Sequence, residues 1–98
     1  MIIRLTERAE ADLATGAAFY ERQGDGLGEY FLDSLISDLE SLQLYAGTHP
    51  KKFRFHRMLA KRFPFAIYYE YGENEVLVCA ILDCRRKPAW TTGRLRRT

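Results

Sequence analysis

The chain has few of the residues from which disulfides and metal sites are built. It contains two cysteines, two histidines and three prolines, and no Gly/Ser-rich or Pro-rich linker. Cys79 and Cys84 lie five positions apart, and the alternation of a strand would point their side chains to opposite faces, so we expect two reduced thiols. His49 and His56 take part in no CxxC or HxxxH spacing, so we expect neither a metal nor a cofactor.

The chain also lacks an apolar run long enough to cross a membrane. Met1 leads directly into an amphipathic pattern, without the apolar core of a signal peptide. We therefore expect a cytoplasmic protein that does not contact a membrane. A chain of 98 residues without linkers or repeats can build one core only, so residues 1–98 are expected to form a single domain.

Each half of the chain is poor in charge of one sign. The first 46 residues carry three basic and nine acidic side chains, whereas residues 47–98 carry twelve basic and four acidic ones. This asymmetry suggests that the second half contacts a polyanion or an acidic protein. A basic face that only aids solubility is the alternative.

The hydrophobic pattern predicts an α+β fold with the order β-α-α-β-β-β. A strand at residues 2–5 precedes a helix that begins at the N-cap Thr6 and ends near Arg22. A second helix, with one apolar stripe, is predicted from Leu27 to Ala46, and Gly47 is a suitable stop. A strand with one wet face is predicted at residues 53–59, and a short helical piece at residues 88–95.

Residues 62–86, RFPFAIYYEYGENEVLVCAILDCRR, predict a hairpin of two apolar strands. Residues 63–71 alternate with a period of two, and residues 72–74 are typical of a turn. The run at residues 76–82 is apolar at both parities, which is typical of a central strand covered on both faces. We therefore expect a helical hairpin packed on one face of an antiparallel sheet.

This order of elements, together with RFPFAIYYEYGENEVLVCAILDCRRKP at residues 62–88, resembles the ParE/RelE superfamily of bacterial type II toxins, many of which are called plasmid stabilisation proteins. The opening IIRLTERAEADLATGAAFYE is similar to that superfamily's first strand and first helix. The resemblance implies a toxin neutralised by a cognate antitoxin, whose flexible segment would cross the helical hairpin and the sheet. Ala11, Ala14 and Ala18 are small enough to admit that segment closely, or they are simply good helix formers.

The superfamily contains two different activities. RelE-like members cut messenger RNA in the ribosomal A site without a metal, which requires cations and a positioned acid and base. ParE-like members stop DNA gyrase by protein contact. RelE-like enzymes typically place a tyrosine or histidine near the C-terminus, whereas this chain has only Trp90 as an aromatic after Arg86. The resemblance therefore implies gyrase binding with no catalytic residue. A ribosome-dependent endoribonuclease and a non-toxic protein-binding relative are the alternatives.

The candidate contact site consists of arginines near the ends of the predicted strands. They are Arg57, Arg62, Arg85 and Arg86. These side chains would converge on one rim of the sheet, and guanidinium forks suit bidentate contacts with carboxylates or phosphates. Pairing within the chain, with Glu70 or Asp83, is the alternative.

Trp90 lies in the basic, mostly polar segment KPAWTTGR, where no periodic core is predicted. It either folds back as a lid or anchors a partner. Tryptophan and arginine are the residue types found most often at the energetic centre of protein interfaces, which favours partner contact.

Overall fold

The computed structural model describes all 98 residues, and it confirms the α+β fold class. The elements, in chain order, are β1 (Ile2–Leu5), α1 (Glu7–Gln23), α2 (Leu27–Glu40), α3 (Leu42–Tyr45), β2 (Lys51–Lys52), β3 (Phe55–Leu59), β4 (Phe65–Gly72), β5 (Glu75–Asp83) and α4 (Pro88–Arg96). No helix is both long enough and apolar enough to cross a membrane.

The five strands form one sheet in the order β1-β5-β4-β3-β2. β3 pairs with β4 and β4 with β5 in the antiparallel sense, as predicted. β2, which was not predicted, is antiparallel to β3. β1, however, pairs with β5 in parallel, so that Ile3 lies opposite Val76. The sheet is therefore mixed, and side-chain alternation could not reveal this because it is the same in both pairings.

The sheet has a core on each face. The helix-facing core joins Phe31 and Leu35 of α2 to residues such as Ile67 and Tyr69 of β4. The opposite core joins Tyr68 and Leu82 to residues of α4, of which Leu95 is buried. Both faces of β5 are therefore covered, as the apolar run at residues 76–82 predicts.

α1 begins where the sequence predicts, because the Thr6 hydroxyl accepts a hydrogen bond of 3.1 Å from the backbone N–H of Ala9. Gly16 lets α1 approach α2 closely. A Cβ atom built at Gly16 would lie 2.6 Å from Cζ of Phe31, whose side chain is fully buried. A larger residue here would therefore force the two helices apart.

The second predicted helix is interrupted at Ser41, which divides it into α2 and α3. The Ser41 hydroxyl donates a 2.6 Å hydrogen bond to the carbonyl oxygen of Asp38, and the Ser41 N–H is shared between the carbonyls of Asp38 and Ser37. Serine often competes with helical backbone bonds in this way, which bends or ends a helix.

The strand predicted at residues 53–59 begins later, at Phe55. Lys52 pairs with Phe55 and Lys51 with His56, so β2 and β3 form a small hairpin. Phe53 lies in its turn with φ of 59° and a half-exposed side chain. A positive φ is strained for an aromatic residue. The alternating pattern that begins at Phe53 therefore predicted a strand at a position where the chain turns.

A β-bulge in β5 places the two cysteines on the same side of the sheet, so the predicted opposite faces are wrong. Tyr68 lies opposite Ala80 and Tyr69 opposite Val78, so Cys79 is an extra residue without a partner. Cys79 lies in the opposite core with Tyr68, and the bulge reverses the faces of the residues that follow it. Cys84 lies on the same side, since its Sγ atom is 3.7 Å from the Arg57 guanidinium that binds the Tyr68 hydroxyl. Both thiols are free.

Candidate partner-binding site at the end of the sheet

Three of the predicted arginines lie beyond the strands at one end of the sheet, where β3 and β5 end and β4 begins, and the fourth lies in the middle of β3. Arg57 is on β3, Arg62 is in the connection to β4, and Arg85 and Arg86 follow β5. They do not form one cluster, because their side chains lie on different sides of the sheet. Arg62 is exposed.

Arg85 points toward the helical hairpin and is paired within the chain. Its Nε and Nη2 atoms donate hydrogen bonds of 3.0 and 2.7 Å to the two carboxylate oxygens of Asp83. Nη2 also donates to the Tyr20 hydroxyl at 3.2 Å. These bonds hold the pKa of Asp83 below its usual range. Pairing with Asp83, the alternative considered for these arginines, therefore applies to Arg85.

Arg57 lies on the opposite side of the sheet. Its Nε atom donates to the Tyr68 hydroxyl at 3.2 Å, and this bond is the main reason why the pKa of Arg57 is raised. Arg57 and Arg86 both line a small hollow of about 90 Å³, which Cys84 also borders. Two of the four arginines thus share one site.

Arg86 lies against Trp90. Its guanidinium carbon is 3.8 Å from the centre of the indole ring, a cation–π geometry, and it forms no ion pair. Trp90 is half-buried and packs beside the opposite core, close to Leu95. The structure therefore shows Trp90 folded back on the sheet, with one part of its ring still accessible.

A mostly buried ion pair joins α4 to α1 and, through Asp12, to the edge of β5. Arg94 donates two hydrogen bonds, of 2.8 and 2.9 Å, to the carboxylate of Asp12 on α1. The same carboxylate accepts a 3.0 Å bond from the backbone N–H of Ile81, where β1 has ended and leaves the edge of β5 unpaired. The hydrogen bond with Asp12 raises the pKa of Arg94. The sequence did not predict the pair of Asp12 and Arg94, because no local pattern relates residues that are so far apart in the chain.

A cleft of about 440 Å³ lies between α1 and α4 at this edge, and we call it the α1–α4 cleft. Its interior is formed partly by Phe19, Phe65, Ile81, Leu82 and Trp90, and Arg86 and Arg94 are among its polar residues. Arg86 thus belongs both to this cleft and to the hollow beside Arg57.

The two histidines lie elsewhere, around Tyr69. The Tyr69 hydroxyl accepts a 3.0 Å bond from the N–H of Gly47 and lies 2.6 Å from Nδ1 of His49. Nδ1 of His56 lies 2.7 Å from the carbonyl oxygen of His49. Burial, with a smaller contribution from His56, lowers the pKa of His49. This network anchors the loop before β2. The structure contains no cluster of three or more His, Cys, Asp or Glu side chains that could hold a metal ion.

Comparison with known proteins agrees with the predicted fold. A solved chain from the chromosomal ParDE toxin–antitoxin system of P. aeruginosa is similar, with 18% sequence identity and a TM-score of 0.68, and the match covers 83% of this chain and 92% of that one. The isolated RelE toxin of E. coli is similar at 15% identity and a TM-score of 0.45, over 99% of this chain and 98% of that one. The comparison with curated proteins gave no match. The family described as the ParE toxin of the type II toxin–antitoxin system parDE matches residues 3–88, so this chain belongs to the ParE family of toxins.

Proposed function

We propose that this toxin stops growth by binding DNA gyrase through the surface that contains Arg86 and Trp90. The observation that carries this proposal is the guanidinium of Arg86, which lies 3.8 Å above the indole of Trp90 at the α1–α4 cleft and has no carboxylate partner. An arginine held by an aromatic ring is already oriented for a partner, which reduces the entropy lost on binding.

The other predicted arginines have different roles in this proposal. Arg57 extends the contact, because it shares the hollow beside Cys84 with Arg86. Arg62 is exposed and supplies charge that guides an acidic partner. Arg85 contributes less, since its guanidinium is already bound by Asp83 and Tyr20.

A toxin of this family has a protein antitoxin, and we propose that this antitoxin crosses the outer face of α1. Ala11, Ala14 and Ala18 are exposed there and let a partner backbone approach closely. A segment that folds on binding gains its affinity from such burial. We also propose that the protein acts in the cytoplasm, where gyrase and the antitoxin are found together.

The proposal is tested by DNA supercoiling with purified gyrase from the source organism, followed on an agarose gel. We expect loss of supercoiled product and accumulation of cleaved DNA when the folded toxin is added. Arg86→Ala should weaken inhibition about tenfold or more, since truncation of an interface arginine often removes over 1.4 kcal/mol. Arg85→Ala should have a smaller effect. Arg96→Ala is the matched control, because Arg96 is an exposed arginine of α4 outside the cleft.

Full gyrase activity in a large excess of folded protein would overturn the proposal. Cleavage of messenger RNA on ribosomes would then be measured, and its presence would establish the endoribonuclease alternative. Growth arrest that is equal in the wild type and in the Arg85→Ala/Arg86→Ala double variant would instead remove these two arginines from the mechanism.

A further inference from the structure

The α1–α4 cleft has an apolar interior and unused hydrogen-bond donors. Its two carboxylates are already bound within the chain, Asp12 by Arg94 and Asp83 by Arg85. The Nε–H of Arg94 has no acceptor, but it is buried. Arg86 is exposed and forms no ion pair, so its guanidinium N–H groups can donate hydrogen bonds to a group that enters the cleft.

Both donor groups are arranged around Trp90. The guanidinium carbons of Arg86 and Arg94 lie 3.8 and 5.9 Å from the centre of the indole ring. The apolar lining residues, such as Phe19 and Ile81, surround the space beside these guanidinium groups. The cleft therefore combines an apolar space with positive charge at one side, and the volume of about 440 Å³ is in the range of sites that accept a small ligand or a side chain.

We propose that the α1–α4 cleft binds a segment of a partner protein in which an aromatic side chain lies next to an aspartate or glutamate. The aromatic ring occupies the space between Phe19 and Trp90, and the carboxylate binds Arg86. This inference rests on the proposed function, because it names the chemistry of the segment that the toxin contacts.

Charge complementarity favours an acidic peptide over a nucleic acid. A nucleic acid backbone is bound by several cations along a groove, together with aromatic faces on which bases stack. In the cleft Arg94 is neutralised by Asp12, which leaves Arg86 as the one cation without a carboxylate partner. One such guanidinium beside an apolar space matches one carboxylate beside one apolar side chain.

The test uses Trp90 as its own reporter, since it is the only tryptophan of the chain. The probe is the dipeptide acetyl-Asp-Phe-amide, and acetyl-Asn-Phe-amide is its uncharged match. We expect saturable change of Trp90 fluorescence in the full chain, with the aspartate probe binding about tenfold more tightly because its hydrogen bonds to Arg86 are charge-assisted. A shift of the Trp90 indole N–H signal in NMR spectra should follow the same titration.

Two matched variants separate the cleft from general surface charge. Arg86→Met should reduce the affinity of the aspartate probe to that of the asparagine probe, and Arg96→Met should leave the difference between the probes intact. Circular dichroism verifies that both variants are folded. Indole N–H shifts replace fluorescence if Arg86→Met alters the emission of Trp90.

Three outcomes would overturn the inference. They are equal affinity for the two probes, no saturable response up to the solubility limit, and dimers of the free chain that Arg86→Met dissociates, which would assign the cleft to a second copy. If the peptide probe does not bind but Arg86→Ala loses gyrase inhibition, peptide binding in the cleft is rejected and the proposed gyrase contact is retained. If the chain binds the peptide specifically but does not inhibit gyrase, peptide binding is retained and the gyrase contact is rejected.

Discussion

Asp12 and Arg94 connect the two ends of the chain through a bidentate ion pair that is mostly buried. Their side chains are 12% and 15% exposed, whereas those of the surface pair Arg4 and Glu75 are 62% and 42% exposed. The carboxylate of Asp12 also satisfies the edge of β5 at Ile81. One acidic residue on α1 therefore holds both α4 and the unpaired end of a central strand.

Asp12→Asn is expected to reduce the free energy of unfolding by about 2 kcal/mol, because it leaves the Arg94 charge buried without a counter-ion. Urea denaturation measures the change. Glu75→Gln, which breaks the surface pair with Arg4, should change stability by less than about 1 kcal/mol. Equal effects of the two substitutions would show that burial does not distinguish these pairs.

Gly16→Ala and Gly93→Ala make the same change in two helices and should have opposite effects. At Gly16 the new Cβ would lie 2.6 Å from the buried Phe31 ring, so we expect a loss of about 1–3 kcal/mol. At Gly93 the nearest atom is the flexible end of Arg97 at 3.4 Å, so higher helix propensity should give a gain of up to about 1 kcal/mol. Thermal unfolding of both variants measures these changes. A Gly16→Ala variant that is more stable than the wild type would contradict the predicted clash with Phe31.

The order of elements could be predicted from the sequence because it depends on local periodicity. The stripe of α2 and the doubly covered strand β5 repeat at the spacing of a helix and of a buried strand, and both were confirmed. The resemblance to the ParE/RelE superfamily was confirmed as well, since the match covers residues 3–88. Patterns of this kind do not depend on which distant residues meet.

Features that depend on one residue or on distant contacts could not be predicted. The hydroxyl of Ser41 ends α2, although the apolar stripe continues past it. The bulge at Cys79 reverses the faces of the residues that follow, and nothing in the alternation marks it. In the candidate site, the ends of the predicted strands suggested that the arginines converge on one rim, but the structure pairs Arg85 with Asp83 and stacks Arg86 on Trp90.

The two thiols should differ in reactivity. Cys79 is 4% exposed, and burial, together with the nearby Glu70, raises its pKa to about 11. Cys84 is exposed. In the folded protein at about pH 8 we expect a thiol reagent to modify one cysteine per chain rapidly, and Cys84→Ser should abolish this phase. Cys79→Ser is the matched control and should retain it. Rapid modification of both thiols would show that the core around Cys79 opens easily.

Stability should decrease on mild acidification because of His49. Nδ1 of its ring lies 2.6 Å from the Tyr69 hydroxyl, which accepts a hydrogen bond from the N–H of Gly47 and can donate its own proton to a neutral His49 ring. Burial holds the pKa of His49 below 6.5, so the unfolded chain binds the proton more readily than the folded one. Neutral His49 therefore makes its full contribution to the free energy of unfolding above pH 6.5. This contribution decreases as the pH falls from 6.5 toward the lower pKa of His49 in the folded state.

His49→Gln should remove this part of the pH dependence. The measured quantity is the free energy of unfolding of the wild type minus that of the variant, from urea denaturation between about pH 7 and about pH 5. We expect the difference to decrease toward the acidic end. His56→Gln should keep most of the dependence, since burial rather than His56 is the larger cause of the lowered pKa of His49. A difference that stays constant across this range would mean that protonated His49 is accommodated without loss of the bond to Tyr69.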